Sequence, residues 1–205
     1  MSDKIAGVLF DIGGVLAELD GMPSLGRLLG PDADPESLHA TWMACPAVVA
    51  HETGKIGPTE FAASVIAELR LSVSAEWFLD DFLVWLKGPL PGAVELLDEI
   101  PGAYRLGALS NMSAVHWDAI VATGLMQRFD HLFVSHEIGC LKPANEAFEA
   151  ALDGMQLQPS EVLFLDDGQR NVAAAKALGM EAHLVRGPGE ASSVLATFGV
   201  IPPSA

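Results

Sequence analysis

The sequence predicts an α/β fold in which a parallel sheet carries an inserted helical block, and three observations lead there. An apolar run over residues 5–10 ends abruptly in Asp11, with Gly13 and Gly14 close behind. From residue 17 to about residue 88 the texture is helical, with apolar positions three and four apart and no convincing strand. After Gly88-Pro89-Leu90-Pro91-Gly92, short apolar runs alternate with helical stretches, the rhythm of parallel βαβ units with right-handed crossovers.

Taken in order, the first run reads as a buried central strand. It places Asp11 at the carboxyl end, where open α/β sheets bind their ligands. Asp20-Gly21-Met22-Pro23 and Gly30-Pro31-Asp32 read as turns, and Asp34-Pro35-Glu36 as a helix opening. The spacing predicts helices over 37–43, 59–71 and 74–86, the second with Ala62, Val65, Ile66 and Leu69 on one face. The polar stretch from His51 through Glu52 to Gly57 reads as a solvated turn between helices, where a lid would present groups to a substrate. Beyond the insert, helices are predicted over 93–100, 113–123, 146–155 and 171–178. Strands are predicted over 104–109, 131–135, 162–165 and 182–185, and residues 202–205 read as a frayed end.

Composition narrows the function. Half of the 205 residues are hydrophobic, which excludes a disordered chain and supports one domain, or one domain with an insertion. A formal charge of −16 argues against sequence-independent nucleic-acid binding, which needs Lys and Arg on the phosphates. A small phosphorylated ligand remains compatible, because a bound cation and local basic groups reverse the sign inside a site. Cys45 and Cys140 are far apart and have no metal-ligand spacing. No apolar span has membrane length, and the expectation is a cytoplasmic protein, monomeric or homodimeric, without a membrane or nucleic-acid partner.

Three further strand ends carry chemistry. The run over 106–109 ends in Ser110-Asn111, Lys142-Pro143 precedes a helix, and the run over 162–165 ends in Asp166-Asp167-Gly168. In a parallel sheet these junctions share one edge, so an acid, a hydroxyl, a lysine and an acid pair converge. Adjacent acids at a buried strand end are costly unless a cation offsets them.

The order and spacing of these residues resemble the haloacid dehalogenase superfamily. Within it, the nearest group resembles bacterial α-D-glucose-1-phosphate phosphatase, on Phe10-Asp11-Ile12-Gly13, Glu52-Thr53-Gly54-Lys55-Ile56, Glu60-Phe61 and Leu165-Asp166-Asp167 with Asn171. The resemblance implies a Rossmann-like core over 1–18 and 89–205 with a small helical cap over 19–88. It implies Asp11 as nucleophile, Asp11, the Gly13 carbonyl, Asp166 and Asp167 around Mg²⁺, and Ser110, Asn111 and Lys142 on the phosphoryl group, with Glu52 as a substrate contact from the cap. The implied reaction is Mg²⁺-dependent hydrolysis of a small phosphorylated metabolite through an aspartyl phosphate. The alternatives are a 2-haloacid dehalogenase-like hydrolase and a catalytically weak phosphate-binding relative.

One position departs from the pattern. The familiar phosphatases of the superfamily carry a second Asp two residues after the nucleophile, as general acid and base, and here that residue is Gly13. Such help is commonly worth about a hundred- to ten-thousand-fold. Glu18, Asp20, His51 and Glu52 are the candidates to replace it. A leaving group as acidic as an anomeric hydroxyl would also tolerate the loss, which points toward sugar 1-phosphates.

Overall fold

The computed structural model describes residues 5–31 and 33–203; Asp32, Ser204 and Ala205, in the expected turn and tail, lie outside them. Strand β1 (Gly7–Phe10) is fully buried. It is followed by β2 (Ala17–Leu19) and a run of helices: α1 (Met22–Leu29), α2 (Leu38–Ala44), α3 (Pro46–Glu52), α4 (Pro58–Glu68) and α5 (Ala75–Leu83). The chain returns through β3 (Leu86–Pro89), α6 (Ala93–Glu99), β4 (Arg105–Ser110), α7 (Ala114–Ala122), β5 (His131–Val134) and α8 (Ser135–Ile138). It ends with α9 (Asn145–Met155), β6 (Val162–Asp166), α10 (Gln169–Ala177), β7 (Glu181–Leu184) and α11 (Gly187–Thr197).

Five strands form one parallel sheet in the order β5-β4-β1-β6-β7. Alternation along β1 divides the core. Val8 and Phe10 join a cluster with Leu96 and Leu97 of α6, Ile120 of α7 and Leu195 of α11. Leu9 faces the other side, with Phe148 and Ala151 of α9 and Val172 of α10. The sheet is thus covered on both faces, which is why its central strands are continuous apolar runs.

The register fixes the functional edge. Phe10 lies beside Ala108 and Leu165, so β1, β4 and β6 end almost level. The helix after β4 is capped locally, the Ser113 side chain accepting from the His116 N–H, and Ser74 does the same for Trp77 in the insert.

The inserted helices bury a cluster of their own. Trp42, Phe61, Phe78, Phe82 and Trp85 are all buried, with Trp42 and Trp85 ring centroids 4.9 Å apart and Phe61 and Phe82 5.0 Å apart. Truncating a buried aromatic of this kind to alanine costs about 3–5 kcal/mol. This block is tied to the sheet domain at several points, and the Phe82 ring lies 4.2 Å from that of His116. The His116 ring nitrogen Nε2 is 2.7 Å from the Phe82 carbonyl oxygen. The turn after α3 also rests on α8: Gly54 has φ +70, and a Cβ there would collide with the His136 carbonyl oxygen.

Several elements differ from the sequence reading. The insert contains strands after all, because β2 and β3 pair antiparallel as a ribbon, with a register shift between Glu18 and Leu19. The ribbon straddles both expected boundaries of the cap, at 18/19 and 88/89. Helices α1 and α3 fill stretches read as turn and loop, and both carry proline in the first turn, where its missing N–H is not needed. His51 and Glu52 consequently sit on α3, with only Thr53 to Gly57 left as turn. Helix α11 begins in Gly187-Pro188-Gly189 and was not visible as a helix for that reason.

Candidate active site

Asp11 leaves β1 with its N–H donating to the Leu165 carbonyl at 2.8 Å, and this bond holds it level with Asp166. Its carboxylate is nearly enclosed. Oδ1 accepts from the Ile12 N–H at 2.7 Å and lies 3.0 Å from Lys142 Nζ, while Oδ2 has no hydrogen-bond partner among the described residues. One oxygen is therefore oriented and the other left free.

Lys142 Nζ donates to Asp166 Oδ2 at 2.6 Å, so a single buried ammonium bridges Asp11 and Asp166. Asp166 is wholly buried and fully engaged. Its Oδ1 also accepts from the Gly168 N–H at 2.7 Å and from Asn171 Nδ2 at 2.9 Å. The Phe164 ring, with its centroid 5.6 Å from the ammonium, adds a weak attraction from its face.

Burial pushes the Asp11 carboxyl up to about 7; Lys142 opposes the rise, and Asp166 and Asp167 add to it. Asp167, more open to solvent, is also raised, by partial desolvation and by Asp166, against Lys142 and Arg186. Burial pulls Lys142 down, but Asp11 and Asp166 outweigh it and hold the ammonium above its ordinary value. The pocket is short of positive charge.

A divalent cation fits that deficit. One carboxylate oxygen from each of Asp11, Asp166 and Asp167 lies within 4.8 Å of the others, the one such cluster among the described residues. An all-oxygen set suits Mg²⁺ rather than a thiolate-seeking metal. Asp166 is the most encumbered of the three, whereas Asp167 is exposed and has no ion pair within 4.0 Å among the described residues. Gly14 has φ +71, and a Cβ on it would collide with Asp167 Oδ2, so glycine is needed there twice over. A Cβ on Gly13, one residue earlier, would meet nothing within 4 Å. The place of the second acid is vacant and open.

Ser110 ends β4 and is buried, with its hydroxyl unbonded to any described group. Asn111 behaves differently from the expectation that it contacts substrate. Its Oδ1 accepts the Lys142 N–H at 2.8 Å and its Nδ2 donates to the Lys142 carbonyl at 2.9 Å. The amide is engaged with the lysine's main chain. Ser135 escaped the sequence reading altogether: its Oγ accepts the Met112 N–H at 3.0 Å and steadies the loop after Ser110. A serine directly following β5 on the same edge was the available signal.

The cap candidates separate clearly. Glu18 and Asp20 are exposed on and just after β2. His51 is buried; its Nδ1 lies 3.1 Å from the Ile56 carbonyl and its ring stacks on Phe61 at 4.2 Å. Burial lowers its pKa. Glu52 ends α3 half-buried, and burial pushes its carboxyl up to about 7.

Comparison with known proteins agrees with this geometry. Pyrimidine 5'-nucleotidase YjjG of Escherichia coli is 42% identical over 66 residues, 32% of this chain, and the match spans only 29% of the nucleotidase's own length. D-ribitol-5-phosphate phosphatase of Bacteroides thetaiotaomicron is 28% identical over 198 residues, covering 86% of this chain and 90% of that protein. Among solved structures, a HAD family enzyme from the same organism, in complex with magnesium and inorganic phosphate, superposes with a TM-score of 0.71 at 23% identity, over 89% of this chain and 94% of that one. The L-2-haloacid dehalogenase of Xanthobacter autotrophicus follows with a TM-score of 0.66 at 20% identity, over 88% of this chain and 77% of that one. At such identities the two structures establish the fold alone. A family model for haloacid dehalogenase-like hydrolases matches residues 5–179, and the chain, with Asp11, Ser110, Lys142 and the Asp166-Asp167 pair on one sheet edge, belongs to that family of hydrolases.

Proposed function

We propose that this hydrolase is a Mg²⁺-dependent phosphatase that cleaves a small phosphorylated metabolite, a sugar phosphate above all, through an aspartyl phosphate on Asp11. The observation that carries the reading is the cluster of three carboxylates around one buried lysine. Displacement of halide needs no metal ion, whereas three converging carboxylates with one lysine leave a charge deficit that a divalent cation fills. A phosphatase relative of similar length and a neighbour crystallised with magnesium and phosphate support it.

Asp11 and Asp167, with the Gly13 carbonyl, would hold the ion, with Asp166 completing the set. When bound, Mg²⁺ supplies charge neutralisation for the phosphoryl oxygens. The protein groups do the rest. The unpartnered Oδ2 of Asp11 attacks phosphorus while its Oδ1 stays pinned by the Ile12 N–H. The Ser110 hydroxyl donates to a phosphoryl oxygen, and the ammonium of Lys142, whose main chain is held by Asn111, offsets charge that builds on the others. Splitting the displacement in two lets water complete the reaction on the acyl phosphate. In this reading the helices over 19–88 act as a cap whose turn after Glu52 closes over the substrate, in the cytoplasm.

The test is phosphate release from a panel of phosphorylated sugars, polyols and nucleotides, with Mg²⁺ and after exhaustive chelation. Phosphate release that disappears on chelation and returns with Mg²⁺ is expected. Halide release from 2-haloacids that survives chelation would replace the reading with the dehalogenase one.

A further inference from the structure

The seam between the helical insert and the sheet domain runs through histidines. From the sheet domain, His116 of α7 donates from Nε2 to the Phe82 carbonyl of α5 at 2.7 Å. From the insert, His51 of α3 donates from Nδ1 to the Ile56 carbonyl at 3.1 Å and stacks on Phe61 at 4.2 Å. That bond closes the turn whose Gly54 rests on the carbonyl oxygen of His136 in α8. The Phe82 ring neighbours both imidazoles, 4.2 Å from His116 and 6.4 Å from His51. Both histidines are enclosed, His51 at 2% exposure and His116 at 4%.

His51 is the anomaly. A carbonyl can only accept, so Nδ1 carries the ring proton and Nε2 is a bare acceptor. That nitrogen is buried and has no hydrogen-bond partner, alone in this among the side-chain nitrogens and oxygens of the described residues. An unpaired buried polar atom is destabilising and calls for a reason. Protonating it would put a donor without an acceptor, and a full charge, among aromatic rings. The elements packed around it supply no anion to meet that charge. Helix α2 carries His39, α4 carries Glu60 and Glu68, the turn carries Lys55, and α8 carries His136 and Glu137. All but His136 are exposed, and only His136 acts on His51, lowering its pKa together with burial. Around His116 stand Glu76, Asp80 and Asp81 of α5, Lys87 of β3, Arg128, and Asp118 on α7 itself. Only His51 acts on it, again lowering its pKa alongside burial. Each buried histidine thus faces another group that is either neutral or positive, and neither forms an ion pair within 4.0 Å among the described residues.

We propose that His51 and His116 form an acid-sensitive latch: as neutral rings they hold the insert down on the sheet domain, and on taking up protons they release it. Once the seam parts, each imidazole reaches water and returns to its ordinary value of 6.5. A histidine lowered in the closed state supports that state fully above 6.5 and withdraws its support as pH falls. Each proton taken up shifts the seam toward open by up to about tenfold per pH unit. Glu52, next in the chain, responds in the opposite sense. Burial raises its carboxyl, so falling pH relieves its burial instead of penalising it. Opening in acid therefore reports the histidines. The latch is indifferent to what the site hydrolyses.

The experiment follows hydrogen exchange of the parent between about pH 7.5 and about pH 5.5, corrected for intrinsic rates, with Mg²⁺ present so that the acid cluster stays ionised. Amides of α3, of the turn behind it and of α7 should lose protection by about tenfold or more, while β1 and β6 keep theirs. The ring proton resonances of His51 and His116 should titrate over the same pH range as that loss. His51→Asn keeps a donor near the Nδ1 position, His116→Gln keeps one near Nε2, and neither takes up a proton. The double variant should show no acid-dependent loss at the seam. A parent whose seam stays protected at about pH 5.5 overturns the latch. So do β1 and β6 opening together with the seam, or a double variant that opens in acid as the parent does. The ring resonances need the parent alone, so a double variant that does not fold leaves the question decided by them. Rings that titrate while the seam amides stay protected overturn the latch as well.

Discussion

Replacing Lys142 with methionine keeps most of its apolar stem and removes the ammonium between two buried acids. At 3.0 Å from Asp11 and 2.6 Å from Asp166, each attraction is about 5–6 kcal/mol at an effective dielectric of about 20. Desolvation offsets much of that, and breaking a buried pair from one side costs about 3–5 kcal/mol. The loss should depend on pH. Asp11 holds its proton to about 7 in the folded, metal-free protein, against 3.8 when unfolded. That proton stabilises the fold fully at low pH, and the benefit is lost as pH climbs through 7. Between about pH 5.5 and about pH 8 the parent should therefore lose about 2 kcal/mol from this group. Lys142 opposes the upward shift, so without it Asp11 titrates higher still. The variant should go on losing stability over more of the interval, and the gap between the two proteins should widen by about 1 kcal/mol. Urea unfolding of both proteins with chelator, at the two pH values, measures this directly. A gap that stays constant or narrows toward alkaline pH would refute the reasoning.

Asp11→Asn should fold with parental stability or better and release phosphate only at background, because the amide cannot attack phosphorus; turnover persisting in a contaminant-free preparation would remove the mechanism. Gly14→Ala places a methyl group where Asp167 Oδ2 lies, in a left-handed conformation costing about 1–2 kcal/mol. The Mg²⁺ needed for half-maximal activity should rise about tenfold or more, and an unchanged Mg²⁺ titration would show that Asp167 does not hold the ion.

The sheet edge that carries the candidate site was legible because its signals are local. An apolar run that stops at an acid states both the strand and the direction in which it ends; β1 and β6 carry such stops, and β4 stops at the polar pair Ser110-Asn111. Asn111 was legible as a polar residue at that edge but not in its role, since its partner is the main chain of Lys142, 31 residues away. The ribbon was hidden for a different reason. Glu18, Leu19 and Lys87 are exposed, and a short solvent-facing ladder has no alternating burial to reveal it. Prolines concealed α1, α3 and α11, since Met22-Pro23, Cys45-Pro46 and Gly187-Pro188 read equally as turns until the helix behind them is seen. Glu52 was reached through resemblance alone, and only the structure shows that it ends a helix rather than lying in a turn.

The β2–β3 ribbon has a consequence for how this chain can change over time. Leu19 and Leu86 are cross-strand neighbours, so the polypeptide departs from the sheet domain and rejoins it at one doorway. Whatever lies between those residues contributes nothing to the distance the rest of the chain must bridge. Such an arrangement works as a socket: one helical cassette can be lifted out and another of different length or pocket shape plugged in, without re-registering a single strand of the sheet. Substrate range and chemical step can then drift separately, unless the cassette also carries a reacting group.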